Sequence, residues 1–279
     1  MVVVGDALLD VTVRPATPMR PGADVPAQVR VGCGGQGANL AVRLARQGIG
    51  VELTCGSGDD AAASLVSDAL RAEGIRLHPV AVSATGTVVI LLDAAGERTM
   101  LSQRVPFAAG STVPMAAWTV ISGYSLLEAD AVQLARAVAE RATRRVVVGC
   151  TVPASSRTGW RAAVAALRPH LLILNREEAA AMEPIDELAT GTVVTAADLV
   201  TASIGEASVS VIIPAGRLAT DTTGAGDAFA ATVVAGLVDA PWPPSRTTLE
   251  TAITAATLLA GEVARAPGAQ ARVAAETDR

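Results

Sequence analysis

Short runs of β-branched and aliphatic residues alternate along this chain with longer alanine-rich stretches whose apolar positions recur every three to four residues. The runs have strand length and the stretches helix length, so the pattern predicts strand–helix units and a parallel α/β sheet. Val2–Val4 reads as the first buried strand. A helix is predicted from about Ala38 to Gln47, closed by Gly48, before the strand Val51–Cys55. Another runs from about Asp59 to Glu73 and stops at Gly74. Strand–helix units follow at Thr119–Ser122 with Ala129–Arg141 and at Val146–Gly149 with Trp160–Leu167, and Leu171–Leu174 leads into a helix starting near Arg176. The last third carries strands near Thr192–Thr195, Leu199–Thr201 and Val209–Ile213, then a helix after Thr223. A break at Pro241-Trp242-Pro243-Pro244 precedes the long helix Thr247–Arg265.

Two segments interrupt the alternation. Val11 to Val31 is rich in Pro and Gly and has little helical periodicity, while Thr87–Leu92 and Arg98–Ser102 are β-like runs joined by Asp93-Ala94-Ala95-Gly96, which reads as a hairpin. Together they predict a small β-flap over one edge of the main sheet, contributed by segments of about 11–31 and 86–104 within a single domain spanning 1–279.

Composition narrows the function classes. A chain of 279 residues can bury a sizeable core without disulfides or structural metals. Only 2% of it is aromatic, which argues against a stacking surface for nucleic-acid bases. The net charge of −5 comes without any block of like charge, so there is no basic footprint for nucleic acid or an anionic membrane. The start, Met1 to Asp6, has no basic leader, and no apolar run approaches the roughly 18 residues of a membrane span. A cytoplasmic protein is expected. Cys33, Cys55 and Cys150 lack CxxC or His-paired spacing and read as reduced core residues. An anionic ligand must therefore be met locally, by helix N-termini, backbone N–H groups and a bound cation.

Two glycine-rich segments carry candidate chemistry. Asp221-Thr222-Thr223-Gly224-Ala225-Gly226-Asp227-Ala228-Phe229 follows a β-rich region and opens an alanine-rich helix. Its glycines leave backbone N–H groups uncovered, and the helix start adds positive potential, a combination suited to a transferring phosphoryl group. Asp227 stands next to this anion hole as an acceptor for the proton of an attacking hydroxyl, in a position where the helix N-terminus is expected to favour its ionised form. Gly32-Cys33-Gly34-Gly35-Gln36-Gly37-Ala38-Asn39 enters a helix and contains GxGxxG, with Glu52 placed 20 residues beyond Gly32. That matches a dinucleotide fingerprint, and hence an oxidoreductase. The fingerprint should follow the first core strand, however, and that strand runs into Gly5-Asp6 instead. Asn175-Arg176-Glu177-Glu178, on its own, reads as a helix N-cap with an acidic first turn.

Together the two segments resemble the ribokinase-like (PfkB) family of sugar and nucleoside kinases. Gly34-Gly35-Gln36-Gly37-Ala38-Asn39 resembles its GGxGAN substrate signature and Asp221 to Asp227 its DTTGAGD signature, in the same order and over essentially the whole chain. The resemblance implies a doubly wound, mostly parallel sheet flanked by helices, with a small β-sheet lid. It implies a kinase moving a phosphoryl group from ATP to a sugar or nucleoside hydroxyl, with Mg²⁺ and in some members K⁺, and a homodimer as the assembly. By the same resemblance Asp227 is the base and Gly224, Ala225 and Gly226 form the anion hole. Asp10, Gly34, Gly35 and Asn39 would hold substrate hydroxyls, Asp10 as a carboxylate at the end of the first parallel strand. Asn175 would lie by the phosphates, and Glu178 would organise hydrated Mg²⁺. Asp221, Thr223 and Gly268 would hold the monovalent cation, and Thr257 would touch adenine.

The chain also departs from the family pattern. Thr201-Ala202-Ser203-Ile204-Gly205-Glu206-Ala207 stands for the nucleotide loop with its glycines displaced, with Thr201 and Gly205 as its candidate contacts. Cys150 stands where an aspartate often follows the strand, and Arg272 replaces a small residue. Tyr124 takes the place of a glutamate in the sugar pocket, either as an aromatic wall or as a half-buried core tyrosine. Arg98 and Arg104, flanking the second flap strand, either clamp an acidic sugar or remain solvated. A family member that binds ligand without catalysis is the third class in play.

Overall fold

The computed structural model describes residues 1–93, 98–107, 113–127, 130–213, 223–266 and 268–277. Strand β1 (Val2–Val4) leads to β2 (Leu8–Pro15) and β3 (Ala27–Gly34), then to helix α1 (Gln36–Arg46), β4 (Glu52–Ser57), α2 (Ala61–Ala72) and β5 (Arg76–Ala81). The middle of the chain forms β6 (Thr87–Leu92), β7 (Arg98–Gln103), β8 (Ala116–Ser122), α3 (Ala131–Arg141), β9 (Ala142–Val148), α4 (Arg157–Leu167), β10 (Leu171–Asn175) and α5 (Arg176–Ala181). The last third forms β11 (Gly191–Thr195), β12 (Leu199–Ile204), β13 (Ala207–Ile212), α6 (Ala225–Leu237), α7 (Arg246–Val263) and the single turn α8 (Ala274–Thr277).

Nine strands form the main sheet in the order β13-β12-β11-β10-β9-β8-β1-β4-β5, parallel from β11 to β5 and closed at the other edge by the antiparallel pair β12–β13. The strand period of two divides its side chains between two cores. Val3, Leu53, Val120, Val146 and Ile173 pack with α1, α2, α6 and α7, whereas Val2, Val4, Ile121, Val147 and Leu172 pack with α3 and α4 on the opposite face. Strands buried on both faces read as the continuous β-branched runs seen in the sequence, and each such side chain stabilises the fold by roughly 1.5–3 kcal/mol on burial. Side-chain caps set several helix starts. The carboxylate of Asp60 accepts from the backbone N–H of Ala63, so α2 begins after the expected Asp59, and Ser245 caps α7 in the same way.

The four remaining strands form a second sheet in the order β3-β2-β6-β7. The Pro- and Gly-rich stretch is more regular than its composition suggested: β2 and β3 pair antiparallel from Leu8↔Gly34 to Pro15↔Ala27. β6 and β7 pair antiparallel as expected, although the turn residues 94–97 lie outside the described residues. This lid sheet buries only Leu8, Val88 and Ile90 as a core of its own. Strand β5 was not anticipated. It is a half-buried edge strand, and Pro79 within it is the kind of residue that sheet edges tolerate.

Candidate active site

The C-terminal ends of the parallel strands, the N-termini of α1 and α6, and the inner face of the lid sheet converge on one crevice, the usual ligand position in a doubly wound fold. β1 ends in Gly5-Asp6. The Asp6 carboxylate accepts from the N–H of Gly37 at 3.2 Å and from Ser122 Oγ at 3.3 Å, and pairs with Arg104. The Arg104 guanidinium also stacks over the ring of Tyr124, 3.7 Å from its centroid. Gln36, the first residue of α1, fastens that helix to the strand ends: its amide nitrogen donates to Gly149 O at 2.7 Å and its oxygen accepts from Ser122 Oγ and the N–H of Gly123.

Asp227 stands in the first turn of α6, directly behind Gly224. Gly224 has φ of +74°, and a Cβ there would lie 2.6 Å from Ala269 O, so only glycine turns the chain under the Gly268-Ala269 loop and into the helix. A cavity of about 200 Å³ opens in front of this turn, with Asn175, Glu178 and Thr195 on its far wall. The amide nitrogen of Asn39 donates to Asp227 Oδ2 at 2.8 Å, and its oxygen accepts from the Gln270 side chain at 3.0 Å. Both ends of this buried amide are engaged within the protein. Asn39 thus stands as a support for the Asp227 carboxylate, not as a free group awaiting a sugar hydroxyl. The expectation that the helix N-terminus would keep Asp227 ionised needs correction as well. Enclosure by protein outweighs the hydrogen bonds it accepts and pushes its pKa up to about 7.

Asp10 is not at the end of β1. The chain turns at Gly5-Asp6 and enters the lid, so Asp6 ends the first parallel strand, while Asp10 lies within β2 opposite Gly32. A Cβ on Gly34 would fall 1.9 Å from Asp10 Oδ2, so the glycine makes room for the carboxylate. Burial, followed by the charge of Asp6, raises the pKa of Asp10 to about 6. Asp10 lines a second cavity, of about 420 Å³, whose opposite wall is Thr223, Gly268 and Gln270. The same placement overturns the dinucleotide reading. Gly32 and Gly34 belong to a lid strand, so the GxGxxG segment does not connect a core strand to its helix.

Asn175 and Glu178 form a capping box: Asn175 accepts from the N–H of Glu178 and Glu178 from the N–H of Asn175. They nevertheless face the cavity in front of Asp227, so the capping and the site readings hold together. Burial raises the pKa of Glu178. Thr201 and Gly205 are corrected. β12 runs antiparallel to β11, so Gly205, in the turn after Ile204, lies beside Gly191 at the end of the sheet remote from Asn175. Thr201 is exposed beside Val194, outside both cavities. Thr195, where β11 ends, takes the place at the cavity that the sequence reading gave to this loop. A β-run ending in threonine at the C-terminal edge of a parallel strand was the available signal. Thr257 donates to Ile253 O within its own helix and lines neither cavity. Asp221 lies outside the described residues, whereas Thr223 and Gly268 lie together on one wall of the larger cavity. Burial pushes the thiols of Cys33 and Cys55 up to about 12 and that of Cys150 higher still; Cys55 and Cys150 are buried as expected, whereas Cys33 is partly exposed and lines the larger cavity.

A profile of the pfkB family carbohydrate kinases matches residues 1–276. The chain belongs to this family. It is accordingly a phosphotransferase with an alcohol group as acceptor, a sugar or nucleoside kinase acting on a small molecule. A search of curated protein sequences returned no match. Solved structures of similar fold include adenosine kinase from Sinorhizobium meliloti, 19% identical with a TM-score of 0.79, covering 99% of this chain and 97% of that one. Phosphofructokinase-2 from Escherichia coli in complex with potassium is 17% identical with a TM-score of 0.78, covering 100% and 96%. Ribokinase from Thermotoga maritima is 20% identical with a TM-score of 0.76, covering 99% and 97%. In this pfkB-family chain no helix among the described residues is long and apolar enough to cross a membrane.

Proposed function

We propose that the protein transfers the γ-phosphoryl group of ATP to a hydroxyl or hydroxymethyl group of a sugar or sugar-like acceptor. The observation that carries this reading is the Asp227 carboxylate fixed beside the Gly224–Gly226 turn with a pKa near neutrality. The phosphates of ATP would lie in the cavity between that turn and Asn175, met by N–H groups at the start of α6. Asp10, with its room secured by Gly34, would hold acceptor hydroxyls, with Gly35 behind it at the start of α1. As the acceptor oxygen forms its bond to the γ-phosphorus, the bond to the β,γ-bridging oxygen breaks and ADP leaves. The hydroxyl proton passes to Asp227 late in a loose transition state.

Among the described residues no cluster of three or more ligating side chains could hold a metal ion by itself. This suits Mg²⁺, which keeps several waters and leans on substrate phosphates, with Glu178 as the nearby carboxylate. Bound there, it would neutralise phosphate charge. Thr223 and the Gly268 loop offer the oxygen donors a K⁺ ion prefers, and the Escherichia coli phosphofructokinase-2 structure holds potassium on the same fold. A nucleoside acceptor is the second reading, favoured by the half-buried ring of Tyr124 and by the adenosine kinase fold match. A homodimer and a cytoplasmic location complete the proposal.

Asp227→Asn keeps the side-chain shape and removes the proton acceptor. Steady-state ADP release should fall roughly 10²–10⁴-fold in kcat with the KM for ATP little changed. Near-normal turnover by this variant would remove Asp227 as the base.

A further inference from the structure

We propose that the acceptor is anionic: a sugar carrying a phosphate or carboxylate at the end remote from the hydroxyl that reacts. This rests on the kinase reading above and specifies its substrate class. The observation is a set of three arginines on the inner face of the lid sheet. Side chains alternate between the two faces of a strand, and the register places Thr12 opposite Arg30, Arg14 opposite Gln28 and Leu92 opposite Arg98. Arg14, Arg30 and Arg98 line the same cavity of about 420 Å³ that holds Asp10.

Among the described residues, Asp10 is the one carboxylate lining that cavity, against the guanidinium groups of Arg14 and Arg30. None of the ion pairs among the described residues involves Arg14 or Arg30. Arg104 is a different case, since Asp6 and the Tyr124 ring already meet its charge. Arg14 and Arg30 are diagonal neighbours on one face of the β2–β3 ladder, so their like charges repel, and the lid sheet has little buried core to offset that. An anion between the arginines removes the repulsion. A neutral sugar would do nothing for it.

The position also separates the acceptor from the nucleotide. ATP phosphates belong at the glycine turn in the smaller cavity, and Arg98, which contacts Thr223, stands at the border between the two. Arg14 and Arg30 lie further along the lid on the Asp10 side. Thr12, opposite Arg30, is two residues beyond Asp10, roughly 7 Å along the strand. An acceptor whose hydroxyls engage Asp10 therefore presents its far end to Arg30 and Arg14. Guanidinium forks match phosphate and carboxylate oxygens in pairs, and in a chain of net charge −5 they supply the local positive field that a second anion beside ATP requires.

The test is ADP release from matched acceptors: fructose with fructose 6-phosphate, and gluconate with glucose, each at several ionic strengths. One arm tests phosphate, the other carboxylate. The anionic member of at least one pair should show kcat/KM higher by about 100-fold, and the preference should shrink with salt. Arg14→Gln with Arg30→Gln should reduce that preference roughly 10- to 100-fold, through KM more than kcat, with a melting temperature without ligand that is unchanged or raised. A neutral acceptor used equally well leaves the kinase reading standing and overturns the anionic one. So does a preference that survives both substitutions. If none of the four acceptors is turned over, thermal shifts with the same compounds decide the anionic claim. Stabilisation by an anion that is lost in the double variant upholds it, and equal shifts in both proteins sink it.

Discussion

Asp227 combines two demands that pull against each other. As the proposed base, Asp227 must be ionised at neutral pH, yet enclosure by protein disfavours the charge and sets its pKa at about 7. The acidic limb of kcat/KM should therefore have its midpoint near pH 7, not near the pH 4 of a free carboxylate, as a pH–rate series with the preferred acceptor would measure. The same shift bears on stability. Because the folded-state value is raised, the folded protein binds the Asp227 proton more tightly than the unfolded chain. That contribution is fully present below about pH 4 and is lost as pH rises through about 7. Asp227→Asn should therefore melt above the wild type at pH 8, with the gap narrowing at pH 5, a loss of function joined to a gain in stability. Equal melting temperatures at both pH values would mean that the carboxylate is well solvated.

At the scale of elements, helix α1 does more than bury an apolar face. Asn39, Arg43 and Arg46 recur at i, i+4 and i+7 and lie on one side of it. Arg43 donates to Ala269 O and pairs with Glu276 of α8 at 2.7 Å, both side chains almost fully buried, while Arg46 donates to Gln270 O and pairs with Glu73. One helical stripe thus holds the Asp227 carboxylate through Asn39 and the loop over Gly224 through Arg43. Glu276→Ala leaves a buried guanidinium with no counter-charge and an Nε that already lacks a partner. It should cost about 3–5 kcal/mol in urea unfolding, whereas Arg43→Met combined with Glu276→Leu should recover most of that. Recovery of stability without recovery of kcat would separate the loop-holding role of Arg43 from its part in folding.

The strand–helix order was readable in the sequence because doubly buried strands leave uninterrupted aliphatic runs, as in Val146–Val148 and Leu171–Leu174. The glycine turn before Asp227 was readable for a similar reason: its backbone geometry restricts which residues fit. The buttress behind it was not. Gln270 meets Asn39 across 231 positions, and Arg43 meets Glu276 across 233, and local pattern carries no trace of such pairings. Gly205 was misplaced because strand direction cannot be told from composition. Antiparallel β12 carries the residues after Thr201 away from the crevice.

For the whole molecule, the two sheets differ in what holds them. Val2–Val4 and nearly all of β8, β9 and β10 toward the crevice are buried between helix layers, while all six residues of β7 and most of β3 are exposed. Local opening free energy follows buried apolar contact, so the lid should open without the core. A ligand held between Asp10 and the arginines above and Thr223 below contacts both parts and so binds only the closed arrangement. At ten times its Kd it should suppress lid opening about 11-fold by mass action. Hydrogen exchange provides the readout. Amides of β3 and β7 should exchange fastest among the strands in the free protein and slow by about an order of magnitude with a non-hydrolysable ATP analogue plus acceptor, while those of β1 and β8 stay unchanged. The analogue alone should protect the lid less, because phosphates placed at the α6 turn, as proposed, would leave Arg14 and Arg30 unoccupied. Uniform slowing across both sheets would show that lid and core open as one unit, and the acceptor would then have no separate part to close.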